Sequence, residues 1–84
     1  PNPFNPVTQI PFSIPLESDV SIMIYDISGR FIETVLASQL NPGKHIVEFD
    51  GQGLSSGVYI VKMYAKSVSN NESFVQSNKV LLLK

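Results

Sequence analysis

His45 is the one histidine of this 84-residue chain, which contains no cysteine. A multi-histidine or thiolate metal site has no donors, and a hydrolytic triad would have to borrow Asp26 or Asp50 and a serine that lies in no nucleophile motif. The carboxylates Glu17, Asp19, Asp26, Glu33, Glu48, Asp50 and Glu72 are scattered and not grouped at the loop spacing that calcium ligation needs. No cofactor and no enzymatic reaction are implied. What remains is recognition chemistry. Arg30, closing Asp26-Ile27-Ser28-Gly29-Arg30, offers a planar fork of donors suited either to a partner's carboxylate or to Asp26 across its own turn, the local pair being the simpler choice. Tyr59 alternates with Val61 and Met63, the pattern of a core ring with a tethered hydroxyl. His45 beside Val47 reads as a half-buried structural side chain. The last residues, Val80-Leu81-Leu82-Leu83-Lys84, join an aliphatic run to an ammonium.

Composition narrows the possible partners. Six Lys+Arg against seven Asp+Glu give a net charge of −1 with neither sign clustered, so a nucleic-acid footprint is not expected. The longest apolar runs, Ile22-Met23-Ile24-Tyr25 and Val80-Leu81-Leu82-Leu83, fall far short of the ~20 residues that span a bilayer, so no membrane span is expected. With 43% hydrophobic residues and no disulfide to close its loops, the chain depends on apolar packing for stability. Its length fits one domain, residues 1–84. Starting at Pro1 without a leader, it reads as a module of a larger secreted protein.

The elements that position these residues alternate at period two, so the expected fold is all-β. Ile10, Phe12 and Ile14 share one face of a first strand, and Pro11 and Pro15 mark it as an edge. Val20, Ile22 and Ile24 repeat the pattern. Asp26-Ile27-Ser28-Gly29 is a hairpin turn, with Gly29 where a positive φ is needed and Asp26 placed to hydrogen-bond into the turn. The strand from Arg30 to Leu36 is irregular: Glu33 argues that Ile32, Thr34 and Leu36 point inward, yet Phe31 and Val35 are apolar too, which fits a bulge or burial on both sides. Asn41-Pro42-Gly43 is a turn, followed by a strand with His45, Val47 and Phe49 on one face. That strand stops at Asp50-Gly51-Gln52-Gly53. Gly57 opens a strand in which Tyr59, Val61, Met63 and Ala65 oppose Val58, Ile60, Lys62 and Tyr64. A polar loop from Ser67 to Ser73 precedes a last strand from about Phe74 to Leu83, which should contribute an apolar face to the core. Six or seven short strands at this spacing form an immunoglobulin-like antiparallel β-sandwich.

Four motifs in this order resemble a known family: Pro1-Asn2-Pro3-Phe4-Asn5-Pro6, Ile24-Tyr25-Asp26-Ile27-Ser28-Gly29-Arg30, Gly57-Val58-Tyr59, and Val80-Leu81-Leu82-Leu83-Lys84. The chain resembles, over essentially its whole length, the type A C-terminal sorting domain of proteins exported by the type IX secretion system of Bacteroidetes-like bacteria. The resemblance implies an address and not a catalyst. A fused N-terminal cargo would be carried through the periplasm to the cell surface or outside, the outer-membrane translocon and its shuttle would recognise the folded domain, and a sortase-like surface peptidase would remove it. Matched motif by motif, Pro1, Asn2 and Pro3 correspond to the approach to the first strand and Asp26, Gly29 and Arg30 to the hairpin. Gly57 and Tyr59 correspond to a core strand start, and Val80, Leu82 and Lys84 to the terminal signal. Phe49 stands where the family's aromatic precedes Asp50-Gly51, and the stretch from Ser67 to Gln76 reads as a long loop that leaves the pairing of the last strand open.

Other readings compete. The immunoglobulin-like domain of the flagellar hook-capping protein shares the Tyr-Asp-x-x-Gly-Arg, Asp-Gly and Gly-x-Tyr features, though not the two ends. A structural spacer or a carbohydrate-binding accessory module is the further alternative, with Tyr25, Tyr64 and Phe31 as sugar-stacking rings. For the prolines at positions 1, 3 and 6 the choice lies between a stiff junction that presents a preceding linker for cleavage and simple protection of an edge strand.

Overall fold

The computed structural model describes residues 7–83, so Pro1, Asn2, Pro3 and Lys84 lie outside the described residues. Six strands follow in order: β1 Val7–Ile14, β2 Ser18–Asp26, β3 Phe31–Leu40, β4 Gly43–Asp50, β5 Gly57–Ser67 and β6 Ser73–Leu82. Every pairing is antiparallel. A two-stranded sheet, β1-β4, lies over a four-stranded sheet ordered β3-β2-β5-β6, forming an immunoglobulin-like sandwich.

The period-two pattern explains which faces meet. Ile10 and Ile14 of β1, Val20, Ile22 and Ile24 of β2, Phe49 of β4, and Tyr59, Val61, Met63 and Ala65 of β5 are buried together, with Leu82 of β6 closing one end. Phe12 and Val47 pack at the margin of this core. Pro11 sits mid-strand in β1, which pairs with β4 alone. That is the edge position its missing N–H requires.

β3 departs from simple alternation for a definite reason. Its register against β2 slips twice, between Ile22 and Met23 and between Ile24 and Tyr25, leaving Val35 and Ile32 as extra residues on β3. Each bulge turns the following side chains about the strand. Ile32, Val35, Leu36 and Leu40 consequently all reach the core margin, whereas Thr34, expected to point inward, is exposed opposite Met23.

The polar loop expected from Ser67 to Ser73 and the strand expected from about Phe74 are borne out to within a residue, and the longer loop reaching Gln76 is not formed. Only residues 68–72 leave the ladder, because Ser73 already pairs with Lys66, and from there β6 runs in unbroken register to Leu82 opposite Gly57. The turn holds itself together through short contacts. The Asn71 and Ser67 N–H groups donate to the Ser67 and Glu72 carbonyls, and Glu72 N–H donates to Asn70 Oδ1 at 3.0 Å. Polar side chains satisfied locally made the stretch read as loop, although β6 is ladder from its first residue.

The last strand also buries less than expected. From Ser73 to Lys79 every residue of β6 is exposed, and burial begins at Val80. Two strands cannot cover four, so the inner-facing Gln76 and Asn78, opposite Met63 and Val61, stay accessible.

Candidate recognition surface

The β2–β3 turn is built around one carboxylate. Asp26 N–H donates to the Arg30 carbonyl at 2.9 Å and Gly29 N–H to the Asp26 carbonyl at 3.0 Å, which closes a three-residue loop with Gly29 at φ +91°. A positive φ at this place favours glycine, completing a type I turn followed by a left-handed residue. Asp26 Oδ1 accepts from the Ser28 hydroxyl at 2.6 Å, Ser28 N–H at 3.0 Å and Arg30 N–H at 2.9 Å, while Oδ2 meets Arg30 Nε at 3.2 Å. These donors hold the Asp26 carboxyl below its ordinary value, the Ser28 hydroxyl contributing most, then Arg30 N–H. The local pair expected for Arg30 is formed, yet its side chain stays 80% exposed, so the rest of the guanidinium fork faces solvent.

Tyr59 and Gly57 occupy structural places. The Tyr59 ring is buried edge-on to Phe49, centroids 6.1 Å apart, and its hydroxyl donates to the Ser55 carbonyl at 2.8 Å. This is the tethered core ring that the alternation predicts. Gly57 begins β5 directly opposite Leu82. Leu82 in turn presses on Gly51: a Cβ built there would overlap the Leu82 methyls, with Cδ1 at 2.8 Å, so no larger residue fits without displacing that side chain. The Asp50-Gly51 turn thus clamps the end of β6.

That clamp sorts the residues of the terminal run. Leu82 is 1% exposed and belongs to the core, and Val80 is half-buried beside it, whereas Leu81 and Leu83 are 59% and 52% exposed. Among the described residues of this run, Leu81 and Leu83 are the ones that face solvent. Sequence reasoning singled out Val80, Leu82 and Lys84 from this run, the last of which lies outside the described residues. A row of leucines has no period of its own, and only the Gly57–Leu82 register assigns the faces.

On the outer face of the four-stranded sheet, Tyr25 meets Phe31 edge-on at 5.8 Å, and the Lys62 ammonium lies 4.9 Å from the centre of the Tyr25 ring. The Tyr25 hydroxyl points to Met23 Sδ, and a hydrogen bond with Tyr64 raises its pKa above the ordinary phenol value. Stacking on a sugar needs an open ring face. Lys62 occupies one face of Tyr25, which closes that face to a sugar. On the other sheet His45 stacks on Phe12, centroids 5.4 Å apart, and its Nε2–H donates to the Asn41 carbonyl at 2.7 Å. An open hollow of about 520 Å³ beside this pair is lined by Pro11, Ser13, Lys44, Ile46 and Gln76 as well. The imidazole is engaged on its ring and at Nε2, in keeping with a structural role.

Compared with known families, residues 1–78 match the one described as secretion system C-terminal sorting domain. No curated protein and no solved structure matches the chain.

Proposed function

This chain belongs to the secretion system C-terminal sorting domain family, and we propose that its export signal is read at β6 and at the terminal run that ends in Lys84. The family is the C-terminal sorting signal for type IX secretion, not an enzyme family; it engages the secretion machinery and directs a cargo fused ahead of it to the cell surface or outside. On the finer reading, residues 1–84 act as one folded address, and the outer-membrane translocon and its shuttle are the receptors. A sortase-like surface peptidase removes the domain, with the proline-rich Pro1–Pro6 segment as the stiff junction to the cargo. Arg30 is a secondary contact.

One observation carries this reading: β6 is anchored at Leu82 beneath Gly51, yet everything before Val80, and Leu81 and Leu83 beyond it, stays accessible. A receptor can add main-chain hydrogen bonds to such an edge and read alternate side chains without unfolding the domain.

The test is a fusion of residues 1–84 behind a signal peptide and a fluorescent reporter, in a host that has type IX secretion. Reporter outside the cell is the expected result; folded reporter held in the periplasm overturns the reading. Deleting Val80 to Lys84 would remove Leu82 from the core, so the signal is better probed with Leu81→Glu and Leu83→Glu together. These should abolish export while the far-ultraviolet spectrum and urea midpoint of the purified domain are retained. Normal export of that double variant would refute the placement at the terminal run.

A further inference from the structure

Sheet edges expose unpaired N–H and C=O groups, and proteins usually guard them with proline, bulges or charge. Among the described residues three of the four free edges are guarded: β1 by Pro11, β3 by its two bulges, and β4 by Lys44, Glu48 and Asp50, which flank Ile46. β6 has no proline and no bulge over its ten residues. Its outer row is Val75, Ser77, Lys79 and Leu81, of which Val75 and Leu81 are 58% and 59% exposed.

Lys79 is the single charge on this edge. Across the ladder on β5 the same row meets Tyr64, Lys62, Ile60 and Val58, none of them a carboxylate. Among the described residues the one ion pair is Arg30 with Asp26, so Lys79 has no counter-charge among them. We propose, resting on the sorting role above, that β6 accepts an extended acidic segment of a partner protein as a fifth strand, with a carboxylate opposite Lys79 and aliphatic side chains opposite Val75 and Leu81.

In the register that pairs its exposed aliphatic ends, the same geometry disfavours a second copy as the occupant. Outer-row residues must face outer-row residues, and the antiparallel register that sets Val75 against Leu81 of a copy sets Lys79 against Ser77. The two Lys79 ammoniums then fall on neighbouring diagonal positions, where like charges repel. A carboxylate in the incoming strand turns that repulsion into attraction. Lys79 thereby selects the partner as well as guarding the edge.

Isotope-labelled chain is titrated, by amide chemical shifts, with two blocked ten-residue peptides of alternating Val and Thr that differ only in carrying Glu or Lys at the position facing Lys79. The expected result is a set of shifts concentrated on β6, with the Glu peptide bound about fivefold more tightly, the range of a cross-strand charge pair. Lys79→Glu should reverse that order. Equal affinities, no binding of either peptide, shifts on β1 or β3 instead, an order unchanged by Lys79→Glu, or dimers through β6 in sedimentation each overturn the inference. Reporter export is the separate gauge of the sorting role: export that persists without any charge preference removes this inference alone.

Discussion

The two halves of β6 share one backbone ladder and differ in almost everything else. From Ser73 to Lys79 the strand is exposed on both faces, while three residues later Leu82 is among the most deeply buried side chains of the domain. Pairing with β5 is equally continuous in both halves, so hydrogen bonding does not make the difference. Cover does. Gly51 seats directly on Leu82, whereas Gln76 and Asn78 only border a hollow beside Ile10, Pro11 and Phe12 of β1 and stay exposed. A strand held at one end and open along the rest is a preformed edge, and a partner that docked on it would find the ordering cost already met by the core.

Neighbouring leucines give the largest test of this contrast. Leu82→Ala should cost about 2–5 kcal/mol of unfolding free energy, against less than about 0.5 kcal/mol for the exposed Leu81→Ala, both read from urea denaturation. Similar losses at the two positions would break the comparison. Gly51→Ala comes next, at about 1–3 kcal/mol for overpacking against the Leu82 methyls. The double variant Gly51→Ala with Leu82→Ala should be less destabilised than the sum of the singles, since the new methyl partly fills the space left by the leucine. Strict additivity would show that the clamp is not a direct contact.

Smaller effects sharpen the picture at the two turns. Tyr59→Phe keeps the ring against Phe49 and removes only the bond to the Ser55 carbonyl, an expected loss of about 1 kcal/mol in the same denaturation assay. At the hairpin, Asp26 is held below its ordinary pKa in the folded state, so its contribution to stability is present above the usual carboxylate range. That contribution is lost as the pH falls through the lowered folded value. Asp26→Asn should therefore flatten the acid side of the stability–pH profile. An acid limb identical to the parent's would show that the turn's hydrogen bonds do not favour the charged form.

Much of the molecule could be read from residue types because its determinants are local. The alternation through Val20, Ile22 and Ile24 and through Tyr59, Val61, Met63 and Ala65 assigns the inner faces of β2 and β5. Asp26-Ile27-Ser28-Gly29 specifies a turn whose bonds lie within five residues. β3 resisted because two bulges break its period, and a bulge depends on the strand alongside. The exposure of β6 resisted for another reason. Phe74 and Val80 look like core residues, and how far they are covered depends on how many strands the opposite sheet supplies.

Sequence alone therefore determined the all-β character, the β2–β3 hairpin and its Asp26–Arg30 pair, the tethered Tyr59 ring and, through motifs within residues 1–78, the sorting family. Tertiary structure decided which leucine of the terminal run is anchor and which is surface, where β3 slips, and which edge stays open. Periodicity and turn chemistry act between residues close along the chain, while register and cover arise between strands far apart in it, where a shift of one residue exchanges the two faces.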